Sequence, residues 1–296
     1  MASQLSPRAG VLALLAIAVT FASNHVAARV AFDHGASVAA AVTVRSGVTA
    51  VALYFWLRAI GAMLAPPSPT LARAAAIGAL VALQSFCLYS AVARIPVALA
   101  LLAFNTFPML LALLSWASGA GRPAARTLVA MPVALVGLAL ALDVFGQAAG
   151  FAGRWAEIGA GVTWALAAAL AFAFVLLLTG RWLKEMDGRL RTLLTMGVTA
   201  LIVGAAGAAS GGLAFPSEPA GWTGLALLTV FYGSAITALF VVLPRLGAAN
   251  FAVVLNIEPI AALTLAWLLL GQAVTPLQLL GALIVIGAIT VPALRR

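Results

Sequence analysis

Charge is what this chain has least of. Acidic and basic residues make up only 8% of its 296 residues, against roughly 25% in a soluble domain. A soluble protein of this length needs a polar surface to cover its core, and the residues to build one are absent, so lipid must do the covering. Cysteine occurs once, as Cys87 inside an apolar run, which excludes an intrachain disulfide and a cysteine metal cluster and leaves a small buried filler. There is no Walker A motif, no His-Glu-x-x-His motif and no pair of aspartates at membrane depth. These absences argue against ATP hydrolysis by this chain and against an intramembrane enzyme. His34 falls in a loop with no other ligand cluster near it in sequence, so neither metal nor cofactor is expected. The net charge of +9 comes from single arginines between apolar runs. That is not the basic stripe of a nucleic-acid binder.

What is present in abundance is apolar sequence, 65% of the chain. A membrane-spanning helix needs about 20 such residues. Ten segments qualify: 9–31, 36–57, 71–92, 97–117, 125–146, 156–180, 190–212, 221–243, 247–270 and 275–294. The first is too long for the apolar region of a cleavable leader and is read as a span. The runs are too long and too uniformly apolar for barrel strands, so the expected fold is an all-α integral membrane protein. Twelve of the 16 basic residues fall on the side that holds Arg8, the Arg181–Arg191 loop and Arg295–Arg296. The positive-inside rule therefore puts both termini in the cytoplasm. Trp56, Trp116, Trp155, Trp182, Trp222 and Trp267 stand near span ends, as an interfacial belt requires. Trp164 is the exception, roughly 12 Å inside its span at 1.5 Å per residue.

The chain repeats itself. Arg94, Asn105, Pro108 and Trp116 match Arg245, Asn256, Pro259 and Trp267 at one offset of 151 residues. After a one-residue gap, Gly121 and Gly137 match Gly271 and Gly287. The expected domains are thus residues 1–147 and 148–296, five spans each. An odd span count makes the second half enter from the opposite side. Such inverted repeats are a recurring plan of secondary carriers, with solute held near the midplane between the halves.

Asn256-Ile257-Glu258-Pro259, Leu270-Gly271-Gln272, Pro276 to Gly281 and Gly287 resemble the Glu-Pro, Leu-Gly-Glu and glycine-rich final-helix pattern of the EamA branch of the drug/metabolite transporter superfamily. Gln272 stands where that family often has Glu, Phe107-Pro108 replaces Glu-Pro in the first half, and Phe21 sits where a Trp is common. Within the superfamily the chain is similar to bacterial amino-acid exporters of the YddG type. The resemblance implies a multi-pass inner-membrane exporter of small organic solutes. Export of drugs or other metabolites is the alternative, and a channel is a further rival.

Polar residues at depth cost about 2.5–3.5 kcal/mol each when charged, so they are the candidate site. Glu258, about 11 residues into the ninth span, either meets a substrate ammonium or a proton, or pairs structurally with Arg45 or caps backbone freed by Pro259. Arg45 either attracts a substrate carboxylate, or snorkels or forms a helix–helix ion pair. Phe21, His25 and Arg29 share one face of the first span, bordered by Asn24. His25 is a proton shuttle or an interhelical hydrogen-bonding group, and Arg29 a snorkelling residue. Asn105, Asn256 and Gln84 are further cavity candidates, with Trp164 and Tyr232 as an aromatic wall. Pro108 and Pro259 are expected to bend their helices by removing a backbone donor. Lys184 is the only lysine and lies in a loop. A phosphorylated solute would want several deep cations, so a neutral or zwitterionic small molecule fits better.

Overall fold

The structure, a computed structural model, describes residues 7–62, 64, 66–119, 125–141, 155–246, 258, 261, 265, 267–269, 271 and 274–294. Among these the regular structure is helical throughout: α1 Pro7–Asp33, α2 Val38–Ala59, α3 Ser68–Val92, α4 Val97–Phe104, α5 Phe107–Ala117, α6 Ala125–Ala141, α7 Trp155–Trp182, α8 Gly188–Ala209, α9 Pro219–Leu246 and α10 Pro276–Leu294. Six helical stretches are long and apolar enough to cross a membrane, and two shorter apolar helices accompany them. The segment around Asn256 and Pro259 lies outside the described residues, apart from isolated helical positions such as Glu258.

The burial pattern is that of a protein in lipid. Leu201 is 74% exposed, Leu269 67% and Phe55 65%, while Asn24, Ser46 and Thr199 are fully buried. Apolar side chains face out and polar ones face in, because no water competes for the outer surface. Several buried hydroxyls satisfy themselves along the helix, although those of Thr43 and Ser46 find no partner among the described residues. Thr49 donates to the Arg45 carbonyl at 2.7 Å and Thr229 to that of Leu225 at 2.8 Å. Thr199 also reaches the Gly78 carbonyl at 3.2 Å and ties α8 to α3. Trp56, Trp116, Trp182, Trp222 and Trp267 are all exposed, as a belt at the headgroups requires.

Helices from the two ends of the chain pack in pairs: α1 on α9, α2 on α8, α3 on α7 and α6 on α10, with α8 also touching α3 and α9 touching α2. Small residues set these contacts. A methyl built on Gly204 would stand 3.0 Å from Thr43 Cγ2, and one on Gly207 3.1 Å from Ala39 Cβ. Ascending α2 therefore descends α8, and the pair is antiparallel. Between α6 and α10 the backbones themselves meet, since a methyl on Gly281 would lie 2.6 Å from the Gly137 carbonyl oxygen. Gly137 and Ala141, small residues four apart on α6, permit this close approach.

Two features differ from sequence expectation. Arg29 does not snorkel. Its Nε lies 2.9 Å from Asp33 Oδ1, and its Nη1 donates to the Val92 carbonyl at 3.1 Å, so it clamps the end of α3 to α1. Pro108 does not bend a continuous helix. The fourth span is broken in two, and Pro108 sits in the first turn of α5, where a missing N–H costs little. The break is at Asn105–Thr106. There Asn105 Nδ2 donates to the Leu101 carbonyl at 2.7 Å and Thr106 Oγ1 to that of Ala103 at 2.8 Å. The side chains satisfy carbonyls at the end of α4 and make a chain interruption tolerable at membrane depth.

Candidate substrate site

The broken helix opens onto a cavity of about 120 Å³. Its polar lining is His25 from α1, Arg45 from α2, Gln84, Ser85 and Tyr89 from α3, Asn105 at the α4–α5 break, Tyr232 from α9, and Glu258. Phe21, Phe104, Phe107 and Phe172 supply aromatic walls, with Leu88 and Ile236 completing them. A larger groove of about 560 Å³ lies among the exposed loop ends, lined by residues such as Pro66, Arg181, Lys184 and Asp187. It mixes exposed charges of both signs and sits away from the helix interior, so the smaller, buried cavity is the transport candidate.

Arg45 is 3% exposed and has no carboxylate within 4 Å among the described residues. Its guanidinium carbon lies 3.6 Å from the Tyr232 ring centre and 4.6 Å from that of Tyr89, and Nη2 donates to Ser85 Oγ at 2.7 Å. A desolvated cation–π contact is worth about 2 kcal/mol. A hydrogen bond to a charged group adds about 1.5–3 kcal/mol. These contributions are of the same order as the cost of placing an arginine at depth. They hold the charge without neutralising it. Arg45 Nε makes no hydrogen bond with the described residues.

Tyr89, fully buried on α3, organises this wall. Its hydroxyl donates to Asn24 Oδ1 at 2.8 Å. The ring meets His25 edge-on at 5.9 Å and Phe32 at 5.7 Å. Asn24 is therefore behind the cavity and positions Tyr89 rather than lining it. On the other side Phe21 meets Tyr232 edge-on at 6.2 Å.

Glu258 pairs with His25, not with Arg45: Nε2 and Oε1 are 3.3 Å apart. The sequence weighed Arg45 as the partner because both residues lie at similar depth. Depth fixes height in the membrane and leaves the direction a side chain faces open. His25 Nδ1 is buried and makes no hydrogen bond with the described residues.

Six candidate residues read from sequence thus converge on one cavity: His25, Arg45, Gln84, Asn105, Tyr232 and Glu258. Trp164 does not join them. It packs against the core, 6.0 Å from the Phe86 ring, with the Arg94 guanidinium 5.8 Å from its own. Asn256 and Pro259 lie outside the described residues. Sequence reading missed Tyr89, Ser85 and Phe172. Tyr89 had a usable signal, because it is one of three tyrosines and stands one helical turn beyond Ser85 on α3.

No curated protein matches the chain. A solved structure described as "Crystal structure of protein" is 18% identical to it, covers 98% of this chain and 98% of its own, and superposes with a TM-score of 0.63, so the two share a fold. The model of the EamA-like transporter family matches residues 159–292. The chain thus carries several helices long and apolar enough to cross a membrane, and over residues 159–292 it is similar to the EamA-like transporter family.

Proposed function

We propose that the chain is a ten-span secondary carrier, built as two inverted halves, that exports small zwitterionic solutes across a bacterial inner membrane by alternating access. Amino acids, aromatic ones among them, are the solute class. The observation that carries this reading is the pairing of unlike charges in one cavity. Arg45 offers a cation with no carboxylate partner and an Nε with no hydrogen bond among the described residues, and Glu258 offers a carboxylate. A solute bearing both a carboxylate and an ammonium satisfies both groups at once. Phosphorylated solutes would find one arginine where they need several cations. The cavity volume of about 120 Å³ is below the roughly 300–1,000 Å³ of drug-sized sites, which favours a small solute over a bulky drug.

Support for inverted halves of residues 1–147 and 148–296 comes from the helix pairing. Exchanging α1 with α7, α2 with α8, α3 with α9 and α6 with α10 maps the contacts onto themselves. The α1–α9 contact becomes α7–α3, α3–α8 becomes α9–α2, and α2–α8 and α6–α10 each return to themselves. The test is counterflow in proteoliposomes with a panel of labelled amino acids. Trans-side solute should accelerate uptake of the same solute. Uptake at channel-like rates without counterflow, or a chemically altered product, would reject a carrier.

A further inference from the structure

The larger groove, of about 560 Å³, lies between two links of the chain. One wall is the α2–α3 link at Pro66 and Pro67, with Thr70 in the first turn of α3. The other is the run from Arg181 to Asp187, which ends α7 and leads into α8. The groove stands at the end of the helices where the Arg181–Arg191 cluster gathers, the side that the positive-inside rule makes cytoplasmic. Trp182, the last residue of α7, is 39% exposed and marks the headgroup level, where amphipathic rings settle. Trp182, Met186 and the two prolines give the groove apolar walls, and Arg181, Lys184, Glu185 and Asp187 give it charge.

Those charges do not cancel. Asp187 is committed within its own loop. Its Oδ2 accepts from Arg189 Nη2 at 2.9 Å, and its Oδ1 accepts the Arg189 backbone N–H at 2.7 Å and caps α8. The side-chain hydrogen bonds from Arg189 hold this carboxyl below the usual carboxylate range. Arg189 is not part of the groove lining, and its guanidinium carbon stands 5.8 Å from the Trp56 ring centre. Arg181 is held differently, by a neutral partner. Its Nη2 donates to Ser118 Oγ at 2.7 Å and to the Ser118 carbonyl at 3.0 Å. Neither Arg181 nor Lys184 has a carboxylate within 4 Å among the described residues. With Asp187 matched by Arg189, the groove keeps two cations against Glu185, and one of those cations is already anchored. A phosphodiester carries the opposite single charge, and its oxygens accept guanidinium and ammonium N–H groups in short, charge-assisted bonds. A small soluble anion would leave the Trp182 and Met186 walls facing water. The glycerol and upper chains of a phospholipid would cover them. Basic pockets at the cytoplasmic ends of membrane helices suit anionic headgroups for this reason.

We propose that this groove is a binding site for one anionic phospholipid of the cytoplasmic leaflet, of the phosphatidylglycerol type. Arg181 and Lys184 take the phosphate, the Trp182 ring lies along the glycerol and upper chain, and Glu185 opposes the binding of a second anion. The lipid rests on the α2–α3 and α7–α8 links together and so ties the start of α3 to the start of α8. The site is separate from the solute cavity and does not depend on which solute is carried. It stands on the orientation of the chain, which thiol labelling at positions 184 and 218 tests by itself.

The test uses the purified full-length protein in phosphatidylcholine vesicles. These carry, at one fixed mole fraction, phosphatidylglycerol, phosphatidylethanolamine or phosphatidylcholine with brominated chains, which quench tryptophan at contact range. The Trp182 signal is the difference between wild type and Trp182→Phe, and thermal melts establish that each variant is folded. Phosphatidylglycerol should quench Trp182 most. Lys184→Gln should weaken that preference about fivefold, the worth of one basic residue at an anionic surface. Lys184→Arg should keep the preference and Glu185→Gln should strengthen it. Arg58→Gln, exposed at the end of α2 and outside the groove lining, should leave it unchanged. Equal quenching by the three lipids would overturn the proposal. So would equal effects of Arg58→Gln and Lys184→Gln, which would make the attraction a diffuse property of the basic face. Strongest quenching by phosphatidylethanolamine, lost in Glu185→Gln, would overturn it in favour of a zwitterionic headgroup. Relief of phosphatidylglycerol quenching by added glycerol phosphate would overturn it in favour of a soluble phosphate.

Discussion

The guanidinium of Arg45 rests 3.6 Å from the centre of the Tyr232 ring, joining α2 to α9 by a contact that holds a charge without cancelling it. The ring face supplies that attraction, and the hydroxyl is secondary. Tyr232→Phe should therefore bind solute nearly as wild type does. Tyr232→Leu should lose about 0.5–2 kcal/mol, read as a several-fold to about 30-fold weaker affinity in an equilibrium binding assay. Equal losses in both variants would point to the hydroxyl instead.

The α4–α5 break makes unequal demands on its residues. Pro108→Ala removes a ring from a position where a missing N–H is harmless, and the melting temperature should barely move. Asn105→Ala removes the donor to the Leu101 carbonyl and should cost about 1 kcal/mol along with transport activity. Thermal melts and flux measured on both variants check this. A larger stability loss in Pro108→Ala than in Asn105→Ala would contradict the assignment of the break to Asn105–Thr106.

Between α6 and α10 a methyl has nowhere to go. Gly281→Ala should destabilise by about 1–3 kcal/mol, the range for overpacking, because its Cβ would press on the Gly137 carbonyl oxygen. Gly287→Ala, with open space at the same atom, is the control and should be neutral. Comparable melting temperatures in the two variants would mean the helices separate easily.

Topology is checked with an impermeant thiol reagent on intact cells. Glu218→Cys should label from outside and Lys184→Cys should not, since basic residues cluster around position 184. The native Cys87 is buried and should give little background. The reverse pattern would invert the protein in the membrane.

The six long apolar helices among the described residues were legible because a run of about 20 apolar residues has few alternatives. Arg45, His25 and Glu258 were legible because a polar group at depth is costly and stands out against alanine and leucine. What the sequence left open was direction around the helix axis. In helices apolar on every side, periodicity does not separate a cavity face from a lipid face. Phe172 and Leu88 were therefore indistinguishable from core residues. Trp164, chosen for its depth, turned out to pack under Arg94 and against Phe86. Whether Glu258 faces Arg45 was left open for the same reason. The break at Asn105–Thr106 was half legible. Pro108 marked the place, but the capping by Asn105 and Thr106 depends on side-chain geometry that sequence spacing does not fix.

The central claim is that Arg45 and Glu258 receive the two charges of one solute. The most direct measurement is equilibrium binding of three ligands to wild type and to Arg45→Gln: L-phenylalanine, its amine analogue lacking the carboxylate, and its acid analogue lacking the ammonium. Wild type should prefer the zwitterion. Arg45→Gln should bind L-phenylalanine at least tenfold more weakly, a loss of about 1.4 kcal/mol, and bind the amine as well as wild type does or better. Equal losses for zwitterion and amine, or no loss for either, would contradict the account.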